Sequence, residues 1–453
     1  TQAYTNPLYT LIGVIPALLG MDIVLFYKLF SVILLSLCYY YMSKKTGGHS
    51  ILSLLFIAMP TTLIHAFGGL ETFLFVFLLA ALFIELYEGN IKPSILFTLL
   101  LFFTRPETWL LAGLVPFYFL VESYRQTAKF SSAFLKGVKV FLLLFVPLAF
   151  YFAFHYSYFG YFLPNTFYVK NIAKFRFNSF LLSSLFLLPT LFLIPLKKYT
   201  LFIISNLLFL AMIYSYSKAD LMMDYGSRFD FHIYAPIMLL SIYLISKYNV
   251  ATVLIEFNSE LKKRFELNLK STLTVLVVLL SGLLFAISFG SLGWVATYYP
   301  RMLVSHSAVG KILQQEKNQI QGNLLIPDAG AVPYFSDMDN LDIIGLGSAK
   351  IAHEGLSENL LNEYTIGITA LYGDNDSTVS DVLKQGLVSD WAKKNDFTKV
   401  GATCWRPGYY VIYFSKSKID LSDISKKSEA NNLHNLPFLK KDLVKSPFHY
   451  WHE

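Results

Sequence analysis

Long apolar runs separated by short polar segments fill the chain up to residue 295. Each run is roughly 15–20 residues long and almost uncharged, which is the length that an α-helix needs to cross a bilayer. Strands of membrane barrels are shorter and alternate apolar with polar positions, so the pattern indicates helices. It predicts ten spans, at 23–42, 51–66, 70–87, 91–104, 107–122, 138–156, 179–196, 199–216, 231–246 and 272–295.

The stretch before these runs, residues 8–20, is too short to span a membrane comfortably and ends close to Asp22. We expect it to form a helix that lies in the membrane interface. Residues 1–22 are then the end of an outer loop followed by this interfacial helix, and residues 23–296 are the transmembrane domain of a polytopic α-helical membrane protein.

After residue 296 the pattern changes, because charges of both signs interleave and short strand-like runs appear. Strands are predicted at 323–328, 340–346 and 408–414, and a helix at 356–371. Residues 297–453 are therefore predicted to form a soluble α/β domain, which has enough residues for a core of its own.

Composition and charge narrow the class of protein. The 453 residues are 55% hydrophobic and 15% charged, whereas soluble domains average about 25% charged residues; a wholly soluble protein is excluded. A net charge of +7 would suggest nucleic acid as a partner, but most Lys and Arg residues flank apolar runs, where they orient a membrane protein instead. Cys38 lies in a span and Cys404 lies far along the chain, so neither a disulfide nor a metal site is predicted.

The basic residues also predict the orientation. Alternate connecting segments carry fourteen and six Lys or Arg residues, and the richer set belongs in the cytoplasm. The N-terminal turn and residues 297–453 are then expected on the outer side. Four polar motifs are expected there as well: HAFGGLET (65–72), FTRPETW (103–109), YFGYFLPNTFYVK (158–170) and MMDYGSRFDFH (223–232).

Three ionisable residues of these motifs, Glu71, Arg105 and Glu107, lie between apolar runs with almost no loop. At membrane depth such groups are costly unless they are paired or face a wet cavity. One interpretation is that Arg105 pairs with Glu107 or Glu71 and locks helices together, and another is a shared polar cavity. An outward-facing cavity suits either a transporter or an enzyme with a lipid-linked substrate. Polar motifs crowd one face, whereas a carrier needs access from both, so the asymmetry favours the enzyme.

Group transfer from a lipid-phosphate donor needs cations for the phosphate, a carboxylate for the acceptor proton, and aromatic or amide groups around the sugar. The candidate cations are Arg105, Lys170 and Arg228, the candidate carboxylates are Glu71, Glu107, Asp224 and Asp230, and the candidate sugar contacts are Tyr158, Tyr161, Asn165 and Tyr168. An interfacial aromatic belt explains the tyrosines equally well.

Several motifs carry a resemblance: GLET (69–72), TRPE (104–107), LPNTFYVK (163–170) and IPDAGAVPYFS (326–336). Together they resemble one branch of the GT-C membrane glycosyltransferases, which includes the mycobacterial terminal arabinofuranosyltransferase and a relative described as a flagellar motor control protein. The resemblance implies transfer of a sugar from a polyprenyl phosphate to an envelope glycan outside the bacterial cytoplasmic membrane. It further implies inversion at the sugar, and neither a metal nor another cofactor.

The resemblance also implies where the site lies. In these enzymes an acidic pair containing the catalytic base precedes a Pro-containing turn similar to residues 4–8, but no Asp or Glu precedes Asp22 here. We therefore expect an N-terminal truncation, a base upstream of Thr1, and Asp224 as the fallback. Donor or acceptor contacts are expected from Tyr4, Thr5, Asn6, Glu71, Arg105, Glu107, Asn165, Tyr168, Lys170 and Arg228. The alternative functions are a transporter or flippase for a lipid-linked sugar and a non-catalytic membrane scaffold.

Overall fold

The computed structural model describes residues 4–47, 51–170, 175–219, 224, 226–247, 306–328, 330–380, 384–406, 409–419 and 421. The described residues form two compact units. The helical unit comprises Thr5–Phe162 and the described part of Ile172–Leu292. The sheet unit comprises the described part of Gly293–Val444, together with Tyr4 and the segment that begins at Leu163.

The helical unit contains helices of very different lengths. They are α1 (Pro7–Leu18), α2 (Ile23–Lys45), α3 (Ile51–Ala58), α4 (Pro60–Phe67), α5 (Thr72–Glu88), α6 (Ile91–Phe102), α7 (Leu111–Thr127), α8 (Phe130–Phe159), α10 (Phe177–Leu185), α11 (Tyr199–Lys218) and α12 (Arg228–Lys247), with 3₁₀ helices at Pro106–Leu110 and Leu188–Leu193. The intervening α9 (Asn165–Lys170) belongs to the sheet unit.

Four of these helices, α2, α8, α11 and α12, are long and apolar enough to cross a membrane. A fifth candidate is the pair α4 and α5, which is bent by 114° between Phe67 and Thr72. The chain thus has the apolar helices of a membrane protein, while ten spans remain a prediction. The predicted span 51–66 is divided into α3 and α4 at Pro60, and the predicted span 272–295 lies outside the described residues.

Helix α5 forms the centre of the helical unit. From Thr72 to Tyr87 every side chain except that of Phe77 is buried, which explains why its sequence is apolar all round. Helices α4, α6, α11 and α12 contact it. Glu71, at the N-terminal end of α5, is therefore surrounded by the ends of helices from several other parts of the chain.

The sheet unit is a mixed α/β fold with five strands. They are β1 (Asn323–Ile326), β2 (Asn340–Asp342), β3 (Ile366–Gly373), β4 (Thr398–Arg406) and β5 (Tyr409–Ser415), in the order β2-β1-β3-β5-β4. Strands β1, β2 and β3 are parallel, and β5 runs antiparallel to both β3 and β4.

Helices cover both faces of this sheet. A helix over 306–316 and the helix Ala331–Ser336 pack on one face, around Leu324 and Ile326. The helices Ala349–Glu354, Glu358–Asn362 and Gln385–Lys394 pack on the other face, around Leu325. Because neighbouring residues of a strand point to opposite faces, β1 supplies side chains to both cores.

The sequence interpretation of this unit was correct in part. Strands lie within or next to the three predicted strand segments, as β1, β2 and β5. The helix predicted over 356–371 is wrong, because a helix covers only Glu358–Asn362 and β3 begins at Ile366. Strand β4 was not predicted.

Candidate functional site

Two sharp turns bring the charged residues of the helical unit together. Glu71 directly precedes α5, after Gly69, whose φ of +72° is strained for any residue with a side chain. Arg105 is extended, as expected for a residue before proline, and it precedes the 3₁₀ helix Pro106–Leu110 that carries Glu107. Both turns lie at helix ends, where the chain can present a charged side chain without breaking a helix.

Arg105 lies between two glutamates and bonds to both. Its Nη1 donates to Glu71 Oε1 at 2.8 Å, while Nη2 and Nε donate to the two carboxylate oxygens of Glu107 at 2.7 and 3.2 Å. The exposed fraction is 7% for Arg105 and 3% for Glu71. Such a buried, bidentate arginine is strongly held. Of the two partners considered in the sequence interpretation, Arg105 uses both.

Asn6 joins this cluster from the N-terminal turn. Its Nδ2 donates to Glu71 Oε2 at 2.7 Å, so both oxygens of Glu71 are occupied. A backbone hydrogen bond of 2.7 Å from Leu8 to the carbonyl of Phe103 holds the same turn against the Arg105 segment. Thr5 is partly buried beside Asn6, whereas Tyr4 belongs to the sheet unit and is exposed.

Arg228, the first residue of α12, is a second buried guanidinium beside this cluster. Its guanidinium lies 5.0 Å from the Phe229 ring centre, and that of Arg105 lies 5.7 Å from the same ring. Within the part of the chain that the structure describes, Arg228 has no ion pair, and its buried Nε has no hydrogen-bond partner. Arg228 therefore has hydrogen-bonding capacity available for an anionic ligand.

The aspartates near Arg228 make contacts within the fold. Asp224 Oδ1 accepts the backbone N–H of Phe229 at 3.1 Å and so caps the start of α12. Asp230 Oδ1 accepts a hydrogen bond of 2.7 Å from the Ser183 hydroxyl on α10. His65 bonds to the carbonyl of Gly226 at 3.1 Å, which fixes the turn that precedes Arg228.

A small cleft opens beside these residues. Its lining comes from α10, α11 and α12 and the residues next to them, and consists of Arg176, Ser179, Ser183, Ile213, Tyr216, Ser217, Asp224, Phe229, Asp230 and Ile233. The sequence interpretation did not single out Arg176, Tyr216 or Phe229, because they lie in apolar or connecting segments without a motif. Only the three-dimensional packing could have identified them, because Arg176 donates to the carbonyls of Tyr216 and Ala219 at the end of α11 and Tyr216 packs on Phe229 of α12.

Other predicted site residues lie in the sheet unit. Asn165 is buried, and its Nδ2 donates to the carbonyl of Leu346 at 3.2 Å. The Tyr168 ring packs against that of His353, with 4.1 Å between ring centres. The side chain of Lys170 lies outside the described residues. The LPNTFYVK motif (163–170) therefore packs against the 343–353 segment of the sheet unit.

Asp342 organises that segment. Its carboxylate accepts the backbone N–H groups of Ile344 at 2.9 Å and Gly347 at 3.0 Å. Burial raises the pKa of Asp342, and these backbone hydrogen bonds partly oppose the increase. The turn that receives Asn165 is thus held by a buried carboxylate at the end of β2.

Among the described residues, no group of three or more His, Cys, Asp or Glu side chains is suitably placed to hold a metal ion. The sheet unit is similar to a known family of domains. Residues 296–420, which include all five strands, match the model of a domain of unknown function, DUF8728. No curated protein and no solved structure matches the chain.

Proposed function

We propose that the chain belongs to an integral-membrane glycosyltransferase. In this proposal the enzyme moves a sugar from a polyprenyl phosphate to an envelope glycan on the outer side of the bacterial cytoplasmic membrane. The observation that supports the proposal most directly is Arg228. It is a cation without an ion pair among the described residues, next to a cluster in which Arg105 already holds Glu71 and Glu107.

Arg105 is already neutralised by its two glutamates. Arg228 forms no ion pair with a described residue, so its guanidinium is the group that we assign to the phosphate. In the proposed complex, Arg228 contacts the phosphate of the donor and stabilises the negative charge that grows on it as the bond to the sugar breaks. The neighbouring cluster keeps Arg228 in place, since Phe229 contacts both guanidinium groups.

The proposed reaction is a single displacement. The acceptor hydroxyl oxygen bonds to the anomeric carbon while the bond from that carbon to the phosphate oxygen breaks, which inverts the anomeric configuration. The hydroxyl proton passes to a carboxylate. Because Arg105 engages Glu71 and Glu107, we assign this proton transfer to a carboxylate other than these two.

The experiment uses the complete protein, as the cell makes it, in lipid nanodiscs with radiolabelled polyprenyl-phosphate pentoses and hexoses and envelope glycan acceptors. Replacing Arg228 by Gln should lower the transfer rate by about 100-fold or more, because loss of one donor to a developing charge has an effect of this size. Arg228→Lys should retain part of the activity. Arg125→Gln is the control, since Arg125 is an exposed residue paired with Glu122 on α7.

Wild-type activity in Arg228→Gln would refute the role of Arg228. No transfer from any of these donors by the complete wild-type protein, as the cell makes it, would contradict the proposed function itself. Movement of the donor across the nanodisc lipid or a vesicle membrane, without a glycosylated product, would instead favour a transporter.

A further inference from the structure

Strand order in the sheet unit creates a crevice at one edge of the sheet. Strands β2 and β3 lie on opposite sides of β1, and all three are parallel. The helix that follows β1 packs on one face through Val332, whereas the helix that follows β3, Gln385–Lys394, packs on the other face through Val388 and Trp391. In such sheets the connections diverge outside the carboxyl ends of β1 and β3, and ligands bind in the gap between them.

A carboxylate and a phenol meet in this gap. Asp328 follows β1 by two residues, and its Oδ2 lies 3.5 Å from the hydroxyl of Tyr372 near the end of β3. Its other oxygen, Oδ1, accepts the backbone N–H of Gly330 at 3.1 Å. A side chain at residue 330 would place its Cβ 2.9 Å from this oxygen, so the glycine leaves room for the carboxylate. Both Asp328 and Tyr372 are partly exposed.

Buried hydroxyl groups lie below this pair. Tyr413 on β5 is fully buried and pairs with Ala370, close to the end of β3. Its hydroxyl and that of Thr403 on β4 have no well-aligned hydrogen-bond partner in the described part of the chain. Burial raises the pKa of Tyr413, the neighbouring Thr403 hydroxyl partly opposes the increase, and the charge of Asp328 adds to it.

An exposed ring lies beside the crevice. Tyr334 is on the short helix that leaves β1, six residues after Asp328, and 68% of its surface is exposed. Asp374 follows the end of β3 on the other side and is exposed as well, and Asp376 beyond it pairs with Lys399 at 3.7 Å. The crevice therefore combines hydrogen-bond acceptors, phenolic hydroxyls and an accessible aromatic face with a negative charge.

We propose that this crevice binds a neutral carbohydrate, with Asp328 and Tyr372 bonding to sugar hydroxyls and Tyr334 stacking on a sugar ring. Anionic ligands are disfavoured by Asp328 and Asp374, and an apolar ligand would exclude water from the Asp328 carboxylate without adding a hydrogen bond to it. Sugar hydroxyls donate the hydrogen bonds that a carboxylate needs, and the C–H face of a sugar packs on an aromatic ring. The identification of this sugar as part of the acceptor glycan rests on the proposed function; the binding itself does not.

The test measures binding in the absence of any donor, so that no transfer occurs. The full chain in nanodiscs is titrated with neutral oligosaccharides of arabinofuranose, galactofuranose, rhamnose and mannose, each followed by isothermal titration calorimetry. Asp328→Asn and Tyr334→Ala should each weaken binding about 10-fold, and Tyr334→Phe should bind as the wild type does. The matched control is Asp390→Asn, because Asp390 is exposed on the helix Gln385–Lys394, which packs on the opposite face of the sheet.

Two results would overturn this inference: wild-type chain that binds none of the oligosaccharides, or Asp328→Asn and Tyr334→Ala variants that bind as tightly as the wild type. Thermal unfolding of each variant checks that the fold is intact. Failure of the carbohydrate site can be distinguished from failure of the proposed function. Binding without transfer by the complete wild-type protein would contradict the proposed function and still support the carbohydrate site. Transfer by the complete protein, with binding unaltered in the variants, would contradict the carbohydrate site alone.

Discussion

At the scale of single residues, Arg105 is the central side chain of the buried charged cluster in the helical unit. It is buried, and three of its hydrogen bonds go to the carboxylates of Glu71 and Glu107. Removing one partner of a buried ionic group leaves the other charge uncompensated, at a typical cost of about 3–5 kcal/mol. We expect Arg105→Met to lower the free energy of unfolding by that amount, measured by thermal or denaturant unfolding in detergent.

The control for this prediction also removes the two carboxylates that have lost their cation. The triple variant Arg105→Met, Glu71→Gln, Glu107→Gln has no buried carboxylate in the cluster, so it should recover most of the lost stability. An Arg105→Met protein that unfolds at the wild-type midpoint would mean that the ion pairs contribute nothing. The same result would remove the structural reason for assigning the phosphate to Arg228.

The sequence identifies these residues but not which of them pair with one another. Arg105, Glu71 and Glu107 were all recognised as costly at membrane depth, and pairing was one of the two interpretations. That Arg105 engages both glutamates depends on the turns at Gly69 and Pro106, which bring together residues 34 positions apart. Among the described residues Arg228 has no ion pair, which follows from this three-dimensional arrangement, so no pattern along the chain indicates it.

At the scale of elements, the contact between α7 and α8 depends on a glycine. Gly137 on α8 is buried, and a Cβ added there would lie 3.0 Å from Leu120 Cβ and 3.2 Å from its Cδ1 on α7. Inserting extra atoms into a packed interface typically costs about 1–3 kcal/mol. Gly137→Leu should therefore lower the unfolding midpoint of the full chain.

Gly113 provides the matched comparison. It lies on α7 and is exposed, and nothing lies within 4 Å of an added Cβ. Gly113→Leu should leave the unfolding midpoint unchanged or raise it slightly, because Leu favours a helix more than Gly does. Equal midpoints for the two variants would show that α7 and α8 do not pack closely at Gly137.

Helices and strands were predicted best where a single hydrophobic pattern runs through the whole element. The long apolar runs of α2, α8, α11 and α12 were each recognised as spans. The segment EYTIGITALYG (363–373) was harder to assign to a helix or a strand, because it follows the helix Glu358–Asn362 directly and is mostly apolar. The run is a buried strand, β3, whose residues face cores on both sides of the sheet, so it lacks the alternation that marks a half-buried strand.

At the scale of the whole molecule, the proposed function requires that the sheet unit face the outside. The positive-inside rule predicts this orientation from the lysines near the start of α8 and in the other basic connections. The prediction can be tested with single cysteines introduced into a chain carrying Cys38→Ala and Cys404→Ser. Ser377 in the loop after β3 and Ser132 near the start of α8 are both exposed, so each should tolerate the replacement.

A membrane-impermeant maleimide should label Ser377→Cys in intact spheroplasts and Ser132→Cys only after the membrane is permeabilised. Labelling of both after permeabilisation shows that each cysteine is accessible in the folded chain. The reverse pattern would place the sheet unit in the cytoplasm. Transfer to an envelope glycan outside the membrane would then be excluded, whereas carbohydrate binding at Asp328 and Tyr334 would still be open to the calorimetric test, since that binding depends only on the sheet unit itself.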